Sequence, residues 1–555
     1  MSAKEDSMSE RSLLILKEQD HGHRWNDVET GAFFLHSSLS RRQRVVNAIC
    51  ILVMKLCERL TLFGVVANLL LFCRNVLKLD SPWPSTIALS LQGMCYLTPL
   101  LGEWLADTYF GRFNTIYGSS LLYFVGVVLL AAASIPDDLL GVEFDKTART
   151  VYFVVALGII AFCTGGVKAN VSPFGADQVK QDGPRAIQTF YSWFYWFINI
   201  GALIAYTVVV WVQQSDVFFG YAILIGTIFL ALVVFFARRS KYVVKPPRGS
   251  QLTETAKILW EGIKKRRKNT SRWMDGAKIR FGGSFGDAQV EDVKALLRIV
   301  PVFFTFSVYF VIFSQMGTTF LIQGTFMRLQ FGSFTLPAAS LEVFDIVIVL
   351  VLAPLMEHGI YPLLERVGVK VTPLRRIGVG FLLSAASMLV AGLVETKRRE
   401  VWEAGDVCRQ TVFGEVHDAS CFSVFWQAPE FLLIGVSEVL ANITGLEFAY
   451  SQAPEYLKGV VMALYMAAWG LGSFLANLLV AIVTSGGNSD WYPEKDPNRG
   501  HFEYFFFLVT VLMMLDFLFF LFIASSYEYK GSPQQSEETE KDQEYNELTV
   551  SSVRV

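Results

Sequence analysis

Long apolar runs separated by short charged loops set the pattern of this chain. About twelve runs reach the ~20 residues that a helical bilayer crossing needs. They lie at 45–72, 84–106, 113–135, 151–175, 187–212, 218–236, 293–317, 338–356, 377–394, 421–449, 459–485 and 504–526. The first 44 residues are polar and lack the basic-then-apolar order of a signal peptide.

The loops predict a topology, because cytosolic loops concentrate Lys and Arg. Arg41, Arg42 and Arg44 precede the first run, Arg112 follows the second, and Lys180 and Arg185 follow the fourth. Arg238, Arg239, Lys241, Lys245, Arg248 and the basic cluster at 264–268 follow the sixth; Arg366, Lys370, Arg375 and Arg376 follow the eighth. The alternate loops carry Asp137, Asp138, Glu143 and Asp145, or Glu403 and Asp406. Both termini therefore fall in the cytosol. The expected organisation is a disordered tail at 1–44, a six-helix half at 45–236, a basic cytosolic linker at 237–292, a second six-helix half at 293–526 and an acidic tail at 527–555. This all-α, twelve-helix arrangement is the major facilitator layout, with a binding site near midplane between the halves. The basic cluster serves orientation or binds anionic headgroups.

Composition sharpens this. Only 18% of the 555 residues are charged and 53% are hydrophobic, against about 25% charged in soluble domains. A net charge of −2 gives no field for nucleic acid. No metal-ligand or nucleophile set appears, so no enzyme and no cofactor is expected, only protons as the coupling ion. Of seven cysteines most sit in apolar runs, but Cys408 and Cys421 share a hydrophilic loop and could pair in an oxidising lumen. The sequons at Asn170, Asn269 and Asn442 lie in runs or on the cytosolic side, so no N-glycan is expected.

The charges left inside the runs carry the chemistry, since each costs at least ~2.5–3.5 kcal/mol there. Lys55, Glu58 and Arg59 share one face of the first run. Lys168 lies in the fourth, Asp345 mid-run in the eighth, and Glu438 and Glu447 in the tenth. Cations in the first half and acids in the second suit a zwitterion: Arg59 and Lys168 for a carboxylate, Glu438 and Asp345 for an ammonium. No His falls within a run, which excludes a histidine proton relay and leaves coupling to carboxylates.

Four segments then carry a family resemblance. GEWLADTYFGRFNTI from Gly102, TGGVKANVSPFGADQ from Thr164, FYSWFYWFINIG from Phe190 and GLEFAYSQAP from Gly445 resemble proton-coupled oligopeptide transporters of solute carrier family 15. The Val-Lys-Ala-Asn form and Phe344-Asp345 look most like the peptide/histidine branch. The resemblance implies transport of histidine and di- and tripeptides across endosomal or lysosomal membranes with protons, by alternating access. It assigns substrate contacts to Arg59, Lys168, Tyr96, Asn199, Asp345 and Glu438, proton coupling to Glu58, Lys55 and Glu438, and gating to Asp107, Arg112 and Glu447. The family's Glu-x-x-Glu-Arg motif is met by Glu58 and Arg59, but its first Glu is Lys55, its following Tyr is Phe63, and the seventh-run acid is lost at Phe313-Ser314-Gln315. Two outcomes follow for Lys55: it is neutral or pairs with Glu58 and frees Arg59, or proton coupling is weakened or lost.

The tails add sorting patterns: Glu10 with Leu14 and Ile15, and Tyr545 with Leu548. Both suit clathrin adaptors and, with the resemblance, favour lysosome and endosome membranes, the plasma membrane being the alternative. A transport-impaired scaffold that recruits a cytosolic signalling adaptor is the competing function. Membrane lipids are the remaining partner.

Overall fold

The computed structural model describes residues 39–135, 145–247, 249–265, 273–332, 334–368, 371–485 and 489–527. Sequence positions Glu10, Leu14, Ile15, Tyr545 and Leu548 lie outside the described residues. Among those residues the fold is helical, with ten helical stretches long and apolar enough to cross a membrane. One of these, Trp83–Ala133, holds two helices, α2 (Trp83–Leu105) and α3 (Gly111–Ala133). The turn between them needs Gly111, whose φ of +74° a side chain would resist. The first helix, α1 (Arg41–Val66), is absent from that set. Its 26 residues include Lys55, Glu58 and Arg59, so it is long enough but too charged.

Apart from shorter helical segments, the other helices are α4 (Lys146–Val179), α5 (Pro184–Ile204), α6 (Val217–Phe236), α7 (Gln251–Lys264), α8 (Asp287–Phe313), α9 (Glu342–Leu355), α10 (Pro373–Glu403), α11 (Ala428–Ser437), α12 (Lys458–Ser485) and α13 (Phe502–Ser525). Helix α1 packs on α5 and α6, α4 on α2 and α3, α10 on α11 and α13, and α8 on α12. Close approach rests on small residues: a Cβ on Gly102 would meet the Gly165 carbonyl oxygen at 2.5 Å. Large apolar side chains such as Phe304, Leu518 and Phe522 point outward and are exposed, as expected of helices solvated by lipid.

Several expectations are corrected in detail. The eighth run continues through a π-helical turn, Met356–Ile360, into a helix ending at Arg366. His358 therefore lies on a helical stretch that is apolar enough to span, where it is exposed and its Nδ1 is 3.1 Å from the Pro354 carbonyl oxygen. The tenth run begins helically only at Val424. Two short strands, β1 (Gln330–Phe331) and β2 (Phe334–Thr335), pair earlier in the chain, and the residues before Val424 close a hairpin of β3 (Val407–Val412) and β4 (Glu415–Ser420), with Cys408 bonded to Cys421. Region 237–292 contains the amphipathic helix α7. Behind it, Lys294 meets Asp275 at 2.5 Å and Lys278 meets Glu291 at 2.5 Å.

Candidate functional site

Positions i, i+3 and i+4 of α1 bring Lys55, Glu58 and Arg59 together in the interior. Lys55 Nζ is 2.8 Å from Glu58 Oε2, and Arg59 Nε is 3.0 Å from the same oxygen. All three are at most 5% exposed at the side chain. Lys55 pairs with Glu58, as one of the expected outcomes has it, but Arg59 is not released, because one carboxylate oxygen serves both cations. Lys55 also sits 5.5 Å from the Phe194 ring centre and Arg59 6.0 Å from that of Phe63, so aromatic faces supply part of the missing negative charge.

Lys168 on α4 approaches Tyr96 on α2, its Nζ 2.9 Å from the ring centre. Tyr96 stacks in turn on Trp469 of α12, centroids 4.1 Å apart. The Lys168 Nζ is buried and has no hydrogen-bond partner, which leaves three donors available to a ligand. The Tyr96–Trp469 contact joins α2 to α12, and Asn477 donates to Ser90 Oγ at 3.1 Å along the same seam.

Acids occupy two other helical stretches. Asp345 on α9 is 7% exposed, with Oδ1 unpartnered. It lies against Gly435, whose Cβ, if present, would meet Oδ1 at 3.0 Å. Glu438 begins a π-helical turn, Glu438–Ile443, that continues α11; such turns concentrate at functional positions. Its Oε1 accepts from Asn442 Nδ2 at 3.1 Å, and Tyr465 donates to Asn442 Oδ1 at 2.9 Å. Asn199 on α5 instead donates to the Tyr195 carbonyl of its own helix, at 2.9 Å.

At the end bearing α7, Arg112 contacts Asp177 at 3.3 Å, and Lys245 contacts the other oxygen of Asp177 at 2.5 Å. Asp107 and Glu103 line the same crevice, of about 290 Å³. Glu447 is 59% exposed and 3.6 Å from Arg376.

The opposite, hairpin end is held by groups the sequence reading did not single out. Ser85 donates to Glu494 Oε1 through both N–H (2.8 Å) and hydroxyl (2.7 Å), Arg74 donates to the Glu494 carbonyl at 3.3 Å, and Lys495 meets Asp80 at 2.5 Å. Burial also reveals the fully buried pair Glu395–Arg398 and the fully buried Glu430. Glu430 sits inside an apolar run and carries the same signal as Glu438; Glu395 and Arg398 lie just past the run at 377–394 and read as loop. Among the described residues no group of His, Cys, Asp and Glu is arranged to hold a metal.

Residues 113–494 match the sequence model of the POT family. Solute carrier family 15 member 3 of Mus musculus is 31% identical over 88% of this chain and 92% of its own length. Protein NRT1/PTR FAMILY 8.1 of Arabidopsis thaliana is 33% identical over 91% and 98%. The crystal structure of an auto-inhibited POT family peptide transporter superposes with a TM-score of 0.74 at 25% identity, covering 88% of this chain and 98% of that one. A chain with this family match across most of its length belongs to the POT family of the major facilitator superfamily and is a secondary transporter.

Proposed function

We propose that this transporter carries histidine and di- and tripeptides across an endolysosomal membrane together with protons. Twelve crossings form two six-helix halves, 45–236 and 293–526, joined by a cytosolic linker, and both termini are cytosolic. The observation that carries the proposal is an unpartnered Lys168 ammonium beside the α2–α12 seam together with a buried, unpartnered Asp345 on α9 and Glu438 in the π-helical turn that follows α11. Lys168 and Arg59 receive the substrate carboxylate, with Tyr96 as the wall beneath; Asp345 and Glu438 receive the ammonium. A charge-assisted hydrogen bond is about twice as strong as a neutral one.

Protonating Glu58 would give up its contacts to both Lys55 and Arg59, so the coupling proton rides on the acids of the second half, Glu438 first. Asp107, Arg112 and Glu447 then act in the cytosolic gate, where Asp177 is the partner on which Arg112 and Lys245 converge. The tail patterns, Glu10-Leu14-Ile15 and Tyr545-Leu548, support the endolysosomal address.

Uptake by proteoliposomes of labelled histidine, a dipeptide and nitrate tests the substrate class. Histidine and dipeptide uptake that each competes with the other, without nitrate uptake, supports the proposal; nitrate alone overturns it. The competing scaffold reading draws on Lys55 in place of an acid. It requires folded protein that takes up neither histidine nor dipeptide and still retains a cytosolic partner.

A further inference from the structure

Away from the central charges, the second half buries another acid. Glu430, in the first turn of α11, is fully buried, and neither of its carboxyl oxygens accepts a hydrogen bond. Its neighbour Gln427 explains why. Both N–H donors of Gln427 are in use, one to the Phe320 carbonyl at 3.0 Å and one to Gln323 Oε1 at 2.8 Å. Only Gln427 Oε1 remains, and it too lacks a partner. The Gln427 amide lies beside the Glu430 carboxyl, and with both of its N–H groups committed elsewhere it has no hydrogen to spare for an anion, whose desolvation is then left uncompensated. One proton on Glu430 resolves it, because a carboxylic acid O–H donates to Gln427 Oε1.

The network continues outward. Gln323 donates to the Ala391 carbonyl at 3.0 Å and to Glu395 Oε2 at 3.1 Å. Glu395 is held by Arg398 through two bonds, 2.9 and 2.7 Å, and Arg398 donates to Asn498 Oδ1 at 2.6 Å. Asn498 donates to the Asp418 carbonyl on the exposed hairpin at 3.3 Å. The charged groups around Glu430 are thus Glu395 and Arg398 from α10, with Asp345 of α9 against Gly435 farther along α11. Glu395 is neutralised by Arg398, so no cation is left to hold Glu430 as an anion. Glu438 follows eight residues later, about 12 Å along the helix at 1.5 Å per residue.

We propose that Glu430 is a proton-binding site in the second half, separate from the central acids and occupied by a proton in this conformation. Binding forms one O–H bond to a carboxylate oxygen, with the proton drawn from water at the hairpin end; release returns it to water. The site deepens the proton-coupled reading above, but its occupancy is readable without transport.

Infrared spectra of the full-length protein in lipid nanodiscs at neutral pH test this. The expected result is a buried carboxylic-acid C=O band that persists in Glu438→Gln and is lost in Glu430→Gln. Gln427→Leu keeps Glu430 but removes its acceptor, and shifts the band. A spectrum unchanged by both Glu430→Gln and Gln427→Leu overturns the proposal. If Glu430→Gln does not fold, the Gln427→Leu shift decides. Failure of pH-gradient-driven uptake with this band present would count against proton coupling, not against the proton site.

Discussion

Glu58 holds two cations on one oxygen, and this single residue organises the interior of α1. Removing one partner of a buried ion pair costs about 3–5 kcal/mol when a charge is left uncompensated. Glu58→Gln strands both Lys55 and Arg59, whereas Lys55→Met leaves the Glu58–Arg59 contact at 3.0 Å intact. Thermal unfolding in detergent is therefore expected to fall much further for Glu58→Gln than for Lys55→Met; equal falls would contradict the shared-oxygen geometry. Lys168 makes a separate prediction. The proposed charge-assisted bond from Lys168 to the substrate carboxylate is worth about 1.5–3 kcal/mol, so Lys168→Ala is expected to raise KM for a dipeptide about ten- to hundredfold while a dipeptide-independent measure of folding is unchanged. At this scale the sequence was informative wherever a charge interrupted an apolar run: Lys55, Glu58, Arg59, Lys168, Asp345 and Glu438 all stand out that way. It could not reveal that Glu58 serves both cations, because sharing depends on rotamers and not on spacing.

Among the elements, the hairpin end carries contacts that bridge α2 to the segment between α12 and α13. Glu494 binds Ser85 twice through one oxygen, and Cys73 is a free thiol, fully buried, beside Arg74. Glu494→Ala is expected to open this end and to speed labelling of Cys73 by a membrane-impermeant maleimide several-fold. An unchanged rate would show that the contact is not a closure. His417 on β4 supplies a pH dependence. Burial, and then the nearby Arg74 charge, hold its imidazole below the usual range. A depressed value means that the neutral form packs better, so its contribution is present above the ordinary imidazole range and is lost as pH falls through the folded value. Amide exchange of the β3–β4 hairpin, corrected for intrinsic rates, is expected to quicken on acidification in the native protein and less so in His417→Gln. The hairpin was legible only as two cysteines in a polar loop. Its strands are short and its turn uses Phe413 at φ +52°, a conformation that sequence pattern does not announce. The extension of the eighth run to Arg366 escaped for a related reason: Glu357 and His358 end an apolar count but do not end a helix.

For the whole molecule, the apolar runs gave nearly every helix, since length and hydropathy decide what can cross a bilayer. What they could not give is the seam between α2 and α12. Tyr96 and Trp469 are ordinary aromatic residues in their runs, and only packing shows them stacked at 4.1 Å beside the Lys168 ammonium. Where the family resemblance implies a seventh-run acid, Gln315 is fully buried, donates to the Val311 carbonyl at 2.9 Å and accepts from Thr319 at 3.1 Å. With Lys55 where the resemblance implies an acid, Glu58 is the one anion of α1, and the proposed proton coupling falls on the second half. The most direct test is histidine or dipeptide uptake into proteoliposomes loaded with a pH-sensitive dye, under an inward proton gradient. Internal acidification is expected to track uptake and to disappear in Glu438→Gln. Uptake that proceeds at the same rate without the gradient and without acidification would contradict it.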